Sequence, residues 1–123
     1  MKVAFPTDDQ RTIAGHFGQT SGFKIYTIES GDIQSSDYRL LDHSGIENGR
    51  PGQKHKAILD LVRDCDTVIT CGMGEPIYYF LQKNGITSVA QRTPEIQVVL
   101  DDFLNGKLEH DETLVHRHHH HSH

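Results

Sequence analysis

The chain lacks the features that mark membrane, secreted and nucleic-acid-binding proteins. No apolar run approaches the roughly 20 residues that a membrane-spanning helix needs, and the N-terminal stretch has no apolar signal-peptide core. The 12 basic residues are outnumbered by 17 acidic ones, and the net charge of −5 disfavours the phosphate binding that clustered Lys and Arg provide. These absences predict a cytoplasmic protein that engages neither membranes nor nucleic acids.

Cysteine is scarce as well. The two cysteines, Cys65 and Cys71, are too few for a disulfide scaffold, and their spacing matches no zinc or redox motif. Both are therefore predicted to be reduced thiols. Cys65 also falls on the apolar face of a predicted helix, which indicates a core residue.

The hydrophobic pattern of the 123 residues predicts one domain with one core. Alternation and β-branched runs predict five strands, over residues 2–6, 22–29, 33–41, 67–70 and 86–90. Helical spacing predicts three helices, over residues 54–64, 75–84 and 94–105, with Thr93 as the N-cap of the last. The glycine-rich stretch 42–53 is predicted to be a long exposed loop.

The element order βββαβαβα predicts an α/β protein whose mixed five-stranded sheet has helices on both faces. The strand order 3-2-1-4-5, with the first strand in the centre, allows right-handed parallel crossovers. The domain is predicted to cover residues 1–106, and residues 107–123 are predicted to form a disordered tail. Open α/β sheets bind ligands outside the carboxyl ends of their strands where the strand order reverses, here between strands one and four.

The stretch 66–85 is predicted to form one half of that site. Its buried strand stops before Cys71, and Gly72-Met73-Gly74 then leads into a helix that begins near Glu75. A ligand over Gly72 and Gly74 would meet bare backbone N–H groups and the positive end of that helix.

The other half of the predicted site is the turn Gly15-His16-Phe17-Gly18, at the amino end of the second strand. Its glycines permit a tight backbone, and Phe17 is predicted to anchor the turn in the core. Two interpretations of His16 stay open: its imidazole is a metal ligand, or its side chain satisfies loop backbone groups.

Other residues with metal-binding chemistry also have two interpretations each. Cys71 is a soft donor suited to iron, copper or molybdenum–sulfur species, or it is a small core residue. Met73 is a packing residue or an additional soft donor. His43 and His55 flank the long loop and are solvated unless the loop folds over the rim.

The C-terminus from His116 onwards carries six of the ten histidines. Such a run chelates transition metals by composition alone. It is also similar to a purification tag, although Arg117 and Ser122 interrupt it, and both interpretations stay open. In either case it is excluded from the predicted fold.

Together these motifs resemble the dinitrogenase iron–molybdenum cofactor biosynthesis family. The resemblance covers roughly residues 1–105 and rests on the first strand ending in Pro-Thr-Asp-Asp, the His16-Phe17-Gly18 turn, and the run from Val68 to Gly74 before a helix. It implies a ribonuclease H-like fold with three α/β/α layers. The family includes nitrogenase cofactor carriers and the orange protein, a binder of a molybdenum–copper sulfide cluster.

The resemblance implies a carrier or scaffold, without catalytic turnover, that holds a preformed iron–molybdenum–sulfur or molybdenum–copper–sulfur cluster. His16 matches the family's cluster-binding histidine, whereas a ligand role for Cys71 follows from its chemistry alone. Proteins that donate and receive the cluster would be its partners, and the chain would be a monomer or weak dimer. The predicted cluster-binding residues are His16, Phe17, Gly18, Cys71, Gly72, Met73 and Gly74, with His16, Cys71 and His43 as metal ligands.

Two other functions remain as alternatives. A metal-dependent nuclease needs several carboxylates that converge on divalent cations, and the rim offers Asp8 and Asp9, whose other interpretation is a turn cap. A module that stores or senses simple metal ions would use the histidine-rich tail instead.

Overall fold

The structure, a computed structural model, describes residues 1–42 and 51–116 and is built on a central β-sheet. None of the helices within these ranges is long and apolar enough to cross a bilayer. The helices are α1 (Pro51–Val62), α2 (Glu75–Lys83) and α3 (Ile96–Leu104), and 3-10 turns cover Phe17–Gln19 and Glu112–Leu114. The strands are β1 (Lys2–Thr7), β2 (Gly22–Glu29), β3 (Asp32–Leu40), β4 (Thr67–Thr70), β5 (Met73–Gly74), β6 (Thr87–Ala90) and β7 (Val115–His116).

Five strands form the main sheet in the order β3-β2-β1-β4-β6, which confirms the mixed five-stranded α/β architecture. β1 is central, antiparallel to β2 and parallel to β4, so that Ala4 pairs with Ile25 on one side and with Val68 on the other. The predicted order 3-2-1-4-5 is corrected in its last place. The glycine turn itself forms the short strand β5, which pairs in parallel with β7, so the edge strand is sixth in the chain. The predicted element order βββαβαβα lacked both short strands.

Alternating side chains of the sheet feed a core on each face. Ala4 and Val68 belong to the cluster that packs under α1 and α2, whereas Val3 and Ile69 belong to the cluster under α3. Helices therefore cover both faces of the sheet, as predicted. The buried helix side chains are Ile58, Leu59 and Val62 of α1, Ile77, Tyr78 and Leu81 of α2, and Ile96, Val99 and Leu100 of α3.

Two helices begin at residues other than those predicted. α1 begins at Pro51 rather than at residue 54, because the fixed φ of proline suits the first helical position. α3 begins at Ile96 because Glu95 is held extended, at φ −76° and ψ 117°, by a bridge to Thr12. Glu95 therefore takes the N-cap position predicted for Thr93.

Arg39 ties the edge strand β3 to the end of α1. Its guanidinium donates to both carboxylate oxygens of Asp64, at 2.6 and 3.0 Å, and to the Leu61 carbonyl oxygen at 2.9 Å. This bidentate contact holds the pKa of Asp64 well below its usual range. The contact therefore links β3 to the C-terminal end of α1.

The chain after α3 differs from the predicted disordered tail over its first ten residues, 107–116. The Asp111 N–H donates to the Ala90 carbonyl oxygen at 2.7 Å, which extends the hydrogen bonding at the end of β6. Val115 is only 7% exposed and packs in the core under α1 and α2. The burial of Val115 and the pairing of β7 with β5 hold this segment against the rest of the domain. Residues 117–123 lie outside the described residues.

We expect Gly22→Ala to destabilise the fold by about 1–3 kcal/mol, the usual cost of forcing extra volume into a packed site. A Cβ at residue 22 would overlap the Arg39 carbonyl oxygen and lie 2.9 Å from Cζ of Tyr38. Urea denaturation measures the loss. Gly15→Ala is the matched control because its Cβ would meet no atom within 4 Å; equal stability of the two variants would contradict the packing argument.

Candidate functional site

A cavity opens beyond the carboxyl ends of β1 and β4. Its volume of about 450 Å³ is within the range of small-ligand sites. Its walls come from the turn after β1, the first turns of α1, the β5–α2 junction and the end of β7. The lining residues are Gly15, His16, Phe17, Gly18, Gln19, Lys54, His55, Ile58, Gly72, Met73, Gly74, Ile77 and His116. The cavity thus brings together the two predicted half-sites, except for Cys71.

Phe17 fixes the turn that carries His16. Its ring is 4% exposed and packs edge-to-face on Phe23, with 5.7 Å between ring centroids. The Gln19 N–H donates to the His16 carbonyl oxygen at 3.0 Å and closes the 3-10 turn. The His16 side chain makes no hydrogen bond that caps this turn and is exposed at the cavity.

Asp8 and Asp9 shape the loop before this turn and do not line the cavity. Asp9 Oδ1 accepts from the N–H groups of Arg11 and Thr12 at 2.9 and 2.8 Å, and Oδ2 accepts from the Thr12 hydroxyl at 2.9 Å. These donors hold the pKa of Asp9 well below its usual range. Asp8 accepts from the Ser21 N–H at 2.7 Å. Both carboxylates therefore act as turn caps.

The glycine turn Gly72–Gly74 forms the cavity wall opposite His16. The prediction that its backbone N–H groups are unpaired is corrected at Gly72. The Gly72 N–H donates to Thr70 Oγ1 at 3.3 Å, and that hydroxyl donates to the Gly72 carbonyl oxygen at 2.9 Å, so the Gly72 N–H already has a partner. Gly74 is the N-cap of α2, and the positive end of that helix faces the cavity. Met73 is 2% exposed and packs in the core behind the cavity wall.

Among the described residues of the predicted site, Cys71 is the one that is absent from the lining of this cavity, and its ligand role stays a prediction. Side chains alternate along β4, so Cys71 shares the α3 face with Ile69. Its thiol donates to the Thr93 carbonyl oxygen at 3.4 Å and accepts from Nε2 of Gln91 at 3.6 Å. Burial raises the pKa of this thiol, which favours the protonated form. These contacts agree with the packing interpretation of Cys71, which is half-buried. Cys65 is a core residue, as predicted: it is 5% exposed, and burial raises its pKa to about 12.

Three ionisable cavity residues were missing from the predicted site: Lys54, His55 and His116. The Lys54 side chain lies against Gly18: a Cβ added at residue 18 would be 3.7 Å from Cδ of Lys54. His55 packs on Phe80, with 5.5 Å between ring centroids. The spacing of Lys54 and Ile58, four residues apart on one helix face, is the sequence signal that could have placed Lys54 at the site. The predicted ligand His43 lies outside the described residues.

The charge of the cavity differs from that of the whole chain. Its described lining contains three histidines, one lysine and no carboxylate, although the net charge of the chain is −5. Within residues 1–42 and 51–116, no group of three or more His, Cys, Asp or Glu side chains is arranged to hold a single metal ion. The arrangement suits an anionic ligand of several atoms that touches more than one wall.

The chain belongs to the protein family described as dinitrogenase iron-molybdenum cofactor. The family's sequence profile matches residues 1–106. This membership agrees with the fold and with the paired His16 and Gly72–Gly74 walls of the cavity.

Several proteins of known sequence or structure are similar to this chain. Protein NifX of Klebsiella pneumoniae is 30% identical over 94 residues, which are 76% of this chain and 57% of NifX, so the chain spans little more than half of that relative. Uncharacterized protein MJ0580 of Methanocaldococcus jannaschii is 30% identical over 89% of this chain and 90% of its own length. The apo form of the orange protein from Desulfovibrio gigas shares the fold, with a TM-score of 0.71 and 15% identity over 89% of this chain and 92% of its own.

We expect Asp9→Asn to lower the free energy of unfolding at pH 7 and to make that free energy less dependent on pH in the acid range. Because the folded state lowers the pKa of Asp9, its contribution is fully present above about pH 4 and is lost as the pH falls below that value. The variant should unfold at lower urea concentration than the wild type at pH 7, and the difference should shrink towards pH 2.5. Urea midpoints measured at four pH values test this; a difference that stays constant would show that Asp9 does not titrate with folding.

Proposed function

We propose that this protein is a carrier that holds a preformed metal–sulfur cluster in the cavity and passes it between cofactor-assembly proteins. The observation that carries the proposal is the lining: imidazoles and an ammonium group, with no carboxylate among the described residues, in a net acidic protein. Family membership supports an iron–molybdenum–sulfur cargo, and a molybdenum–copper–sulfur cargo has the same anionic character.

The charges of the cavity suit such a cargo. The Lys54 ammonium and the N-terminus of α2 attract an anionic cluster from two sides, and no lining carboxylate repels it. The imidazole of His16 is a donor that suits iron and copper and that can be displaced again. Moderate affinity of this kind is what transfer to an acceptor requires.

The remaining parts of the proposal follow from this role. The protein would act in the cytoplasm as a monomer or weak dimer, bind the donor and acceptor of the cluster, and catalyse no turnover itself. It would use neither nucleic acid nor membrane as a partner. We also assign the domain over residues 1–106 to the ribonuclease H-like class, because three antiparallel-paired strands precede two βα units around a central β1.

The nuclease alternative has little support among the described residues. Its two rim carboxylates, Asp8 and Asp9, are committed to backbone N–H groups of the loop and do not converge on the cavity. The alternative of a metal-ion module based on the histidine tail involves residues beyond 116 and is separated from the carrier by the experiments below.

We expect His16→Ala to lower affinity for a reconstituted cluster by at least about tenfold, since even residues that only orient a metal ligand are worth about 10- to 100-fold. Anaerobic reconstitution with iron, molybdate or copper together with sulfide provides the cluster, and its visible absorption provides the titration signal. Cys71→Ser is the control that should leave binding unchanged, because Cys71 lies on the other face of the sheet.

Lys54→Met should lower the same affinity by about two- to fivefold, the effect of removing one partly exposed charge. Lys83→Met, at the other end of α2, makes the same change in net charge away from the cavity and should have no effect. A wild type without cluster absorption would refute the carrier proposal. Equal affinities of wild type, His16→Ala and Lys54→Met would place the cluster elsewhere.

A further inference from the structure

The segment 107–116, here called the strap, lies beyond the part of the chain that matches the family profile, residues 1–106. It leaves α3 on one face of the sheet and ends at the cavity on the other face, where its last residue, His116, joins the lining. The family match therefore gives no role to a residue that this structure places at the site.

The end of the strap is anchored in the core and on the glycine turn. Val115 is 7% exposed and packs in the cluster under α1 and α2, with Leu114 against it. β7 pairs in parallel with β5, so that Val115 lies opposite Met73 and His116 lies opposite Gly74. The position of His116 is thus set by a buried side chain and by strand register.

The middle of the strap is held by His110 and its neighbours. The Ala90 N–H donates to Nδ1 of His110 at 3.0 Å, and the imidazole stacks on Tyr78 with 5.5 Å between ring centroids. Because Nδ1 accepts, Nε2 carries the hydrogen and lies 3.0 Å from the Glu112 carboxylate. Asp111 adds an ion pair with Arg92 at 3.3 Å.

Gly72 makes room for the His116 ring. A Cβ at residue 72 would lie 3.3 Å from Nε2 of His116 and 3.5 Å from the Leu114 carbonyl oxygen, closer than most side chains tolerate at the first of these contacts. The imidazole nitrogen therefore lies directly over the glycine turn, on the wall of the cavity that His16 does not supply.

We propose that His116 is a second imidazole donor to the bound cluster, delivered by the strap. This inference rests on the proposed carrier function and adds a ligand that the family match does not include. The described residues lack a set of three or more ligands for one metal ion, but a cluster of several metal atoms can bind His16 on one wall and His116 on the other. His116 is exposed, so its substitution removes a donor and not a core contact.

The experiment uses the full-length chain with the five histidines of residues 118–123 changed to alanine, so that the tail cannot chelate. In this background the cluster, assembled from iron, molybdate or copper with sulfide, should bind as it does to the wild type. His116→Gln should increase the rate of cluster release to a chelator by about tenfold or more and shift its visible absorption. The urea midpoint of the cluster-free variant should equal that of the background.

Gly72→Ala provides a second variant in which the histidine is retained but displaced. It should accelerate release as well, and the double variant Gly72→Ala/His116→Gln should release no faster than His116→Gln, because both changes remove one interaction. Additive effects of the two changes on the release rate would contradict the proposal that the strap delivers His116 to the cluster.

The outcomes separate this inference from the carrier function. If His16→Ala accelerates release and His116→Gln does not, the cavity binds the cluster and the proposal for His116 is wrong. If the background binds no cluster while the wild type does, the tail is the site and both proposals fail.

Discussion

The position of β1 between an antiparallel and a parallel neighbour is the constraint on which the cavity depends. Since β1 runs against β2 and along β4, one edge of the sheet receives the end of β1, the start of β2 and the end of β4. Two turns far apart in the chain, at residues 15–19 and 72–74, therefore face each other. The parallel crossover also carries α1 across the sheet, and the first turns of α1 place Lys54 and His55 on a third wall.

Several carboxylates of this acidic chain are committed to contacts away from the cavity. Asp9 and Asp111 cap turns, and Asp64 pairs with Arg39, so each of these charges is neutralised or hydrogen-bonded near its own backbone. The α2 terminus and Lys54 then set the local potential of the cavity. Net charge alone predicts repulsion of an anionic cargo, whereas the local arrangement favours its binding.

The sequence alone predicts those parts of the structure that short-range patterns determine. Strand periodicity and buried aromatic residues act locally. The central sheet and its two facing walls could therefore be predicted from the β-branched run at 67–70, the glycine turn after it and Phe17. Long-range contacts decided the rest. The bridge of Thr12 to Glu95 moved the start of α3, and the burial of Val115 drew the strap to the cavity. The chemistry of Cys71 alone does not reveal that the alternation along β4 turns its side chain towards α3.

The location of the two cysteines has a consequence for the chemistry of loading. Cys65 is buried and Cys71 faces α3, so the described walls of the cavity offer imidazole nitrogen donors but no thiolate, and the thioether of Met73 is buried behind the wall. Under the proposed carrier function, a metal–sulfur cargo would therefore bring its own bridging sulfur. Its release would expose no thiol among the described cavity walls to oxidation.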